Sequence, residues 1–504
     1  MADSRTKNTM RNAIYGAINQ VVMLLLSFVN RTLFIRLLGV EYLGINALFA
    51  DVLTMLSMAD LGFTTAMMYS FYKPLAERDN DRLAALIKLY KRVYNTIAAG
   101  VAVIGLALVP FLHLIVNLDK PIPYLRLYYL FFLANTVISY LFTYKTAIIN
   151  ADQKHYLVLQ YRTFTSIGRV VLQIIFLLLT HNYFVFIGIQ VLSTLVNNLL
   201  ASREAGRLYP FINKPSRELE REEKHSIFDN VKSIFIYKIS SVLLNGTDNT
   251  LISVMVGTIW VGYYSNYNLV LNTLNTFINI LYTAASASIG HAVVTEKPEK
   301  RFEIFKSMQT VSLIISTFTS VCLFVLFSDL VYVWLGSKYV LDYLILGSII
   351  LNFYLGGVLH PIWSFRESTG MYMRTKYIML ICAIENLVLS VLLGYVMGMA
   401  GILYASAISR LTTYFWYEPR ILFGEYFKES TKKFYLPLAK NALLTGALIA
   451  LFMYASQYFT IDSWPKLVLK TFAVAGLTLG AVVLTYCKTE GFKLLLSRVK
   501  WLGR

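Results

Sequence analysis

Apolar runs of twenty or more residues recur along the whole chain, separated by short polar breaks, and a membrane-crossing helix needs about that length. Setting runs against breaks predicts helical spans at 13–38, 43–69, 93–117, 124–148, 157–180 and 183–206. A second group falls at 230–256, 260–292, 307–330, 340–364, 375–397 and 400–421, and two more at 436–459 and 464–487. The expected fold class is therefore all-α: a polytopic membrane protein of about fourteen transmembrane helices.

The longest hydrophilic stretch, about 203–228, lies midway through the first twelve spans and carries Pro210 and Pro215. It predicts an N-lobe over 1–208, a linker over 209–228, a C-lobe over 229–425 and two added helices over 426–487. An internal repeat supports two related halves. TLFIRLLGVEYLG from Thr32 and TLISVMVGTIWVG from Thr250 share Thr32/Thr250, Leu33/Leu251, Gly39/Gly257 and Gly44/Gly262 at one offset of 218 residues. With six spans each, the halves would be related by a pseudo-twofold axis along the membrane normal, with the site in the cavity between them.

Composition narrows the class further. Only 15% of the 504 residues are charged and 57% are hydrophobic, whereas soluble domains carry about a quarter charged residues. Of 46 Lys and Arg, 36 fall on the side of the N-terminus or its flanks, and the opposite loops hold Lys120, Arg126, Lys338, Lys466 and Lys470. Basic residues mark the cytoplasmic side, so both termini are expected in the cytoplasm. The net charge of +18 then faces anionic lipid headgroups and not nucleic acid. The tail 488–504 reads as a basic amphipathic interfacial helix. The stretch 78–92 reads either as another such helix or as an extension of the third span.

Cys322, Cys382 and Cys487 are widely spaced, which points neither to a disulfide framework nor to zinc. The first apolar run continues to Leu38 without a small-residue cleavage site, so no cleaved signal peptide is expected. Asp79 and Asp81 form a DxD-like pair, but no α/β domain surrounds them and no Walker loop is present. His291 and His360 lack a second metal-type residue at helical spacing.

Ionisable residues inside spans are costly and face cavities or partners. Arg169, Glu385 and Arg410 fall near mid-depth; Arg31, Asp51 and Asp248 toward the outer half; Asp60 and Lys238 toward the inner half; Arg36 can snorkel to the outer interface. A planar guanidinium holds phosphate oxygens bidentately, so Arg31, Arg36, Arg169, Lys238 and Arg410 are candidate ligands of an anionic substrate. Asp51, Asp60, Asp248 and Glu385 are candidates for proton or sodium coupling or for pairing with the cations, Arg31 with Asp51 for example. Asn245, Asp248, Asn249, Ser265, Asn266 and Asn268 suit either hydrogen bonds between helices or contact with a sugar. No cofactor is expected.

The stretch NRTLFIRLLGVEYLGINALF from Asn30, continuing through SMADLGFTTAMMYSFYKPLAERD, resembles the Wzx-type polysaccharide flippases of the multidrug/oligosaccharidyl-lipid/polysaccharide (MOP) exporter superfamily. TDNTLISVMVGTIWVGYYSNYNLV from Thr247 continues the resemblance, chiefly in Asp248–Ser253 and Tyr264–Tyr267. The resemblance implies two lobes alternating between inward-open and outward-open states in the bacterial cytoplasmic membrane. The implied cargo is an undecaprenyl-diphosphate-linked oligosaccharide used for capsule, O-antigen or exopolysaccharide. It also implies Arg31, and more weakly Arg36, as residues that meet the diphosphate, with a polymerase and glycosyltransferases as pathway partners. A related transporter of lipid II or of drugs is the first rival reading. A membrane polymerase or glycosyltransferase is the second, disfavoured because the outer loops are short.

Overall fold

A computed structural model describes residues 5–57, 63–118, 120–213 and 219–494; side chains are not described for 5–14, 229–238, 283–295 and scattered single positions. The described chain is helical and divides into two compact units, Met1–Gly262 and Tyr263–Arg504.

The first unit holds α1 (Arg5–Leu38), α2 (Val40–Leu56), α3 (Phe63–Glu77), α4 (Asn80–Leu108), the short α5 (Leu112–Ile115), α6 (Leu125–Ala151), α7 (His155–Thr180) and α8 (Tyr183–Leu208). It continues with α9 (Arg221–Gly246), α10 (Asp248–Met255) and the first turn of α11 (Thr258–Thr295). The two glycine pairs of the repeat have matching local roles. Gly39 and Gly257 both take positive φ, +97° and +137°, at the joints α1–α2 and α10–α11, a conformation that glycine adopts without a Cβ penalty. Gly44 and Gly262 meet backbone to backbone: a Cβ on Gly44 would strike the Thr258 carbonyl, and one on Gly262 the Val40 carbonyl. Small residues permit this approach of helices.

The second unit holds the rest of α11, then α12 (Pro298–Leu335), α13 (Tyr343–Ser368), α14 (Tyr372–Thr412), α15 (Tyr414–Ile421) with a π-helical turn over Leu422–Phe427, α16 (Lys432–Ser456) and α17 (Trp464–Tyr486). Gly398, at φ 57° and ψ −137°, breaks α14. Asn386 Nδ2 donates to Ser406 Oγ across that break (2.9 Å) and Ser390 Oγ to the Ile402 carbonyl (3.5 Å), so α14 folds back on itself. Both α16 and α17 pack on α12. Asn441 ties them there, accepting from the Tyr354 hydroxyl (2.7 Å) while its Nδ2 reaches Thr317 Oγ1 (2.6 Å), the Tyr486 hydroxyl (2.7 Å) and the Leu313 carbonyl (3.2 Å). At the opposite end Lys470 pairs with Asp329 at 2.7 Å.

Ten helices among the described residues are long and apolar enough to cross a membrane. One of them, Tyr377–Phe427, contains the fold-back at Gly398 and so accounts for two of the expected spans, 375–397 and 400–421. The expected spans 43–69, 230–256 and 260–292 are not among the ten. α2 stops at Leu56 after 17 residues. α9 opens on a charged turn and carries Asp229, Lys232 and Lys238 further along its length. α11 carries asparagines throughout its middle. The stretch 78–92 proves to be the start of α4, continuous to Leu108, with Asp79 as its N-cap accepting from Arg82 N (2.9 Å); a cap explains that aspartate without a metal-nucleotide.

The hydrophilic stretch after α8 is anchored. The Tyr209 hydroxyl donates to Asp152 (2.7 Å), which also pairs with Lys154 (2.6 Å). Burial first, and then that carboxylate, push the Tyr209 phenol above its ordinary range. Arg82 pairs with Glu223 at the start of α9 (2.6 Å). Of the expected tail helix 488–504, residues beyond 494 lie outside the described residues; at its start Lys306 pairs with Glu490 (2.8 Å) and holds that carboxyl below its ordinary value.

Candidate functional site

α1, which carries Arg31, and α7, which carries Arg169, pack side by side and are joined by polar side chains. Thr163 donates to Asn19 Oδ1 (2.6 Å), and Asn30 Nδ2 donates to Gln173 Oε1 (3.2 Å). These two bonds, near one offset, run the helices in the same direction. Gln173, buried, also donates to the Phe186 carbonyl of α8 (3.0 Å). Arg31 follows Asn30, and Arg169 lies one turn before Gln173; in this register they are separated by about 8 Å along the helix axis. Both are half-buried. The Arg169 Nε is buried without a hydrogen-bond partner among the described residues. Arg36, by contrast, is exposed in the last turn of α1.

Asp51 belongs to another contact between helices. Asn249 Nδ2 donates to its Oδ2 at 2.5 Å, tying α2 to α10. Just beyond, Ser253 donates to the Ile115 carbonyl (2.7 Å), and Thr258 N donates to the Asn117 carbonyl (2.7 Å). Asp248 opens the first turn of α10, where a carboxylate meets unpaired backbone N–H groups. In the second unit, Thr412 donates to Glu385 Oε1 (2.6 Å) on the folded-back α14, which also carries Arg410. Thus the predicted residues fall into three places: Arg31 with Arg169, Asp51 with Asp248, and Glu385 with Arg410. Asp60 lies outside the described residues, as do the side chains of Lys238, Asn245 and His291.

A polysaccharide biosynthesis protein family model matches residues 9–287. The chain belongs to that family. Comparison with curated proteins returns no match. Among solved structures the chain is similar to a lipid II flippase MurJ in an inward closed conformation, at 14% identity and TM-score 0.64, covering 94% of this chain and 98% of that one. It is similar to an inward-facing MATE multidrug transporter of the MOP superfamily, at 15% identity and TM-score 0.57, covering 81% and 98%. It is also similar to the MATE multidrug transporter DinF-BH, at 14% identity and TM-score 0.56, covering 83% and 95%. The chain thus combines membership of that family with helices long and apolar enough to cross a membrane and with the fold of those solved transporters.

In this family member, three structural features escape a reading of single positions. Arg366 and Glu418 form an ion pair at 2.5 Å with side chains 5% and 2% exposed. Both fall at span ends in the sequence, so nothing marked them as buried. Phe305, Phe365, Phe423 and Phe427 pack together beside them. Gln173 and Asn441 are single amides whose burial depends on neighbours distant in the chain. The third feature, a repeated amide on α11, has a readable signal in its spacing.

Proposed function

We propose that this transporter moves an undecaprenyl-diphosphate-linked oligosaccharide repeat unit from the cytoplasmic to the outer leaflet, for capsule, O-antigen or exopolysaccharide synthesis. The observation that carries the reading is the Arg169 guanidinium, half-buried on a membrane-crossing helix with its Nε unpartnered, within the region matched by the family model. Arg31 lies about one and a half helical turns away. A cation taken out of water costs several kcal/mol unless an anion or water meets it, and a diphosphate supplies two charged acceptor groups. Lys238, Arg410 and Arg36 are proposed as further contacts along the path. The hydrogen bond from Asn249 supports a pairing role for Asp51; Asp60, Asp248 and Glu385 remain the proposed sites of proton or sodium coupling.

The proposal includes fourteen spans in two six-helix lobes with two added helices, both termini in the cytoplasm, and residence in a bacterial cytoplasmic membrane. Its partners are the lipid-linked oligosaccharide, membrane lipids, and the polymerase and glycosyltransferases of the same pathway. Lipid II is the second reading. The likeness to a lipid II flippase covers 94% of the chain, against 81% and 83% for the two multidrug transporters.

The deciding experiment reconstitutes the protein in liposomes with a labelled undecaprenyl-diphosphate oligosaccharide and follows access of a membrane-impermeant glycosidase to the label. Wild-type protein should raise access above protein-free liposomes, and Arg31→Glu should abolish the rise while inserting normally. Movement of lipid II alone would move the assignment to the second reading. Full activity of well-inserted Arg31→Glu would remove Arg31 from the path.

A further inference from the structure

α11 carries Asn268, Asn272, Asn275 and Asn279, spaced four, three and four residues apart. At 3.6 residues per turn these side chains fall within about 60° of one another, a single stripe about 16 Å long. All four belong to the second unit. Asn272, Asn275 and Asn279 are exposed, and Asn268 is half-buried. Among the described residues Asn268, Asn272 and Asn275 make no side-chain hydrogen bond. The opposite side of the helix exposes Phe277, with Ile280 between the two faces. A helix with one apolar exposed face and one exposed face of carboxamides is suited to lipid on the first and water on the second. Unpartnered amides cost too much to face hydrocarbon.

The last amide meets an aromatic group on α13. His360 hydrogen-bonds the Asn279 side chain (3.3 Å) and the Ser364 hydroxyl (3.1 Å), and its ring stacks on Tyr282 with centroids 3.7 Å apart. Trp363 lies 6.2 Å from the same ring and is half-buried. One turn before His360, Gly356 has open space where a Cβ would stand. Each carboxamide offers two donors and an acceptor with two lone pairs, and an aromatic face accommodates an apolar ring face. Neutral donors and acceptors beside aromatic rings, with no charge among them, match the hydroxyls and C–H faces of uncharged sugars rather than a phosphate.

We infer that the asparagine stripe of α11, ending at His360 and Trp363, is a binding track for the neutral sugars of the cargo. This rests on the proposed cargo and assigns its glycan a contact within the second unit. The amide stripe binds by exchanging water for sugar hydroxyls, so each contact adds little and the track tolerates different sugars.

The test measures binding of two soluble probes to the full-length protein in lipid nanodiscs: farnesyl diphosphate, and farnesyl diphosphate bearing a neutral disaccharide. Wild-type protein should bind the disaccharide form more tightly. The double variant Asn272→Leu/Asn275→Leu should lose that advantage, weakening the disaccharide probe about tenfold while leaving farnesyl diphosphate unchanged. The paired glutamine variant, which keeps the amides, should stay close to wild type; an alanine pair serves if the leucine variant does not fold. The inference is overturned if wild type binds the two probes equally, if the double variant keeps the advantage, or if both probes weaken together. Wild-type protein that binds neither probe overturns the cargo reading itself, and the track's ligand with it.

Discussion

Asn441 and Asn275 are the same residue on two helices of one unit, and their surroundings are opposite. Asn441 is buried and bonded to Tyr354, Thr317, Tyr486 and the Leu313 backbone, a cross-link that fastens α16 to three other helices. Asn275 is exposed and makes no side-chain hydrogen bond among the described residues. The arginines divide by their ion pairing: Arg366 is paired with Glu418 in a dry site, while Arg169 makes no ion pair among the described residues. The contrast teaches that a polar residue in a membrane bundle is read by its saturation. Where its hydrogen-bonding capacity is taken up by protein, it holds helices together; where capacity is left over beside water, it is available to cargo.

The largest expected effect separates the two arginines. Arg366→Met leaves Glu418 buried without its partner, and removal of one member of such a pair costs about 3–5 kcal/mol. Thermal unfolding in detergent should shift strongly downward, and the double change Arg366→Met/Glu418→Leu should recover much of the loss. An unchanged midpoint in the single variant would break the comparison at its strongest point.

Asn441→Leu comes next. It strips partners from the Tyr354 and Tyr486 hydroxyls and from Thr317, at about 1–3 kcal/mol for buried groups left unsatisfied. The expected readout is a lowered midpoint together with faster proteolysis between α16 and α17; a stable, protease-resistant variant would mean that apolar packing against α12 suffices.

The smallest expected effect on stability belongs to Arg169→Met. Removing a half-buried cation with an unpartnered Nε should leave the unfolding midpoint unchanged or slightly raised, while transport in the liposome assay falls at least about tenfold. A large loss of stability would show that Arg169 serves the fold, and the line between saturated and open residues would have to be redrawn.

Much of the architecture was legible in the chain because burial in hydrocarbon is a local, additive property. Ten helices coincide with runs readable from hydropathy alone. The repeat led directly to Gly39, Gly257, Gly44 and Gly262, whose positive φ and close approach need residues without a Cβ. The expected spans 43–69, 230–256 and 260–292 have no counterpart among those ten: α2 is short, α9 carries charges along its length and α11 carries asparagines. Within the candidate site, Arg31 and Arg169 were readable because a charge inside an apolar run stands out. Arg366 and Glu418 were not, because each sits at a span end where charges are ordinary.

By itself, then, the sequence determined the class of the protein, the run of its helices, the glycine joints and the presence of cations inside apolar runs. These follow from the transfer energies of side chains and the geometry of single residues. Tertiary structure alone decided which polar groups were saturated. Whether Asp51 meets Asn249, Asn441 meets Tyr354 and Tyr486, or Asn275 meets nothing among the described residues depends on positions as far as 198 residues away. Hydrogen bonds are short and directional, so their partners are set only when the helices have packed.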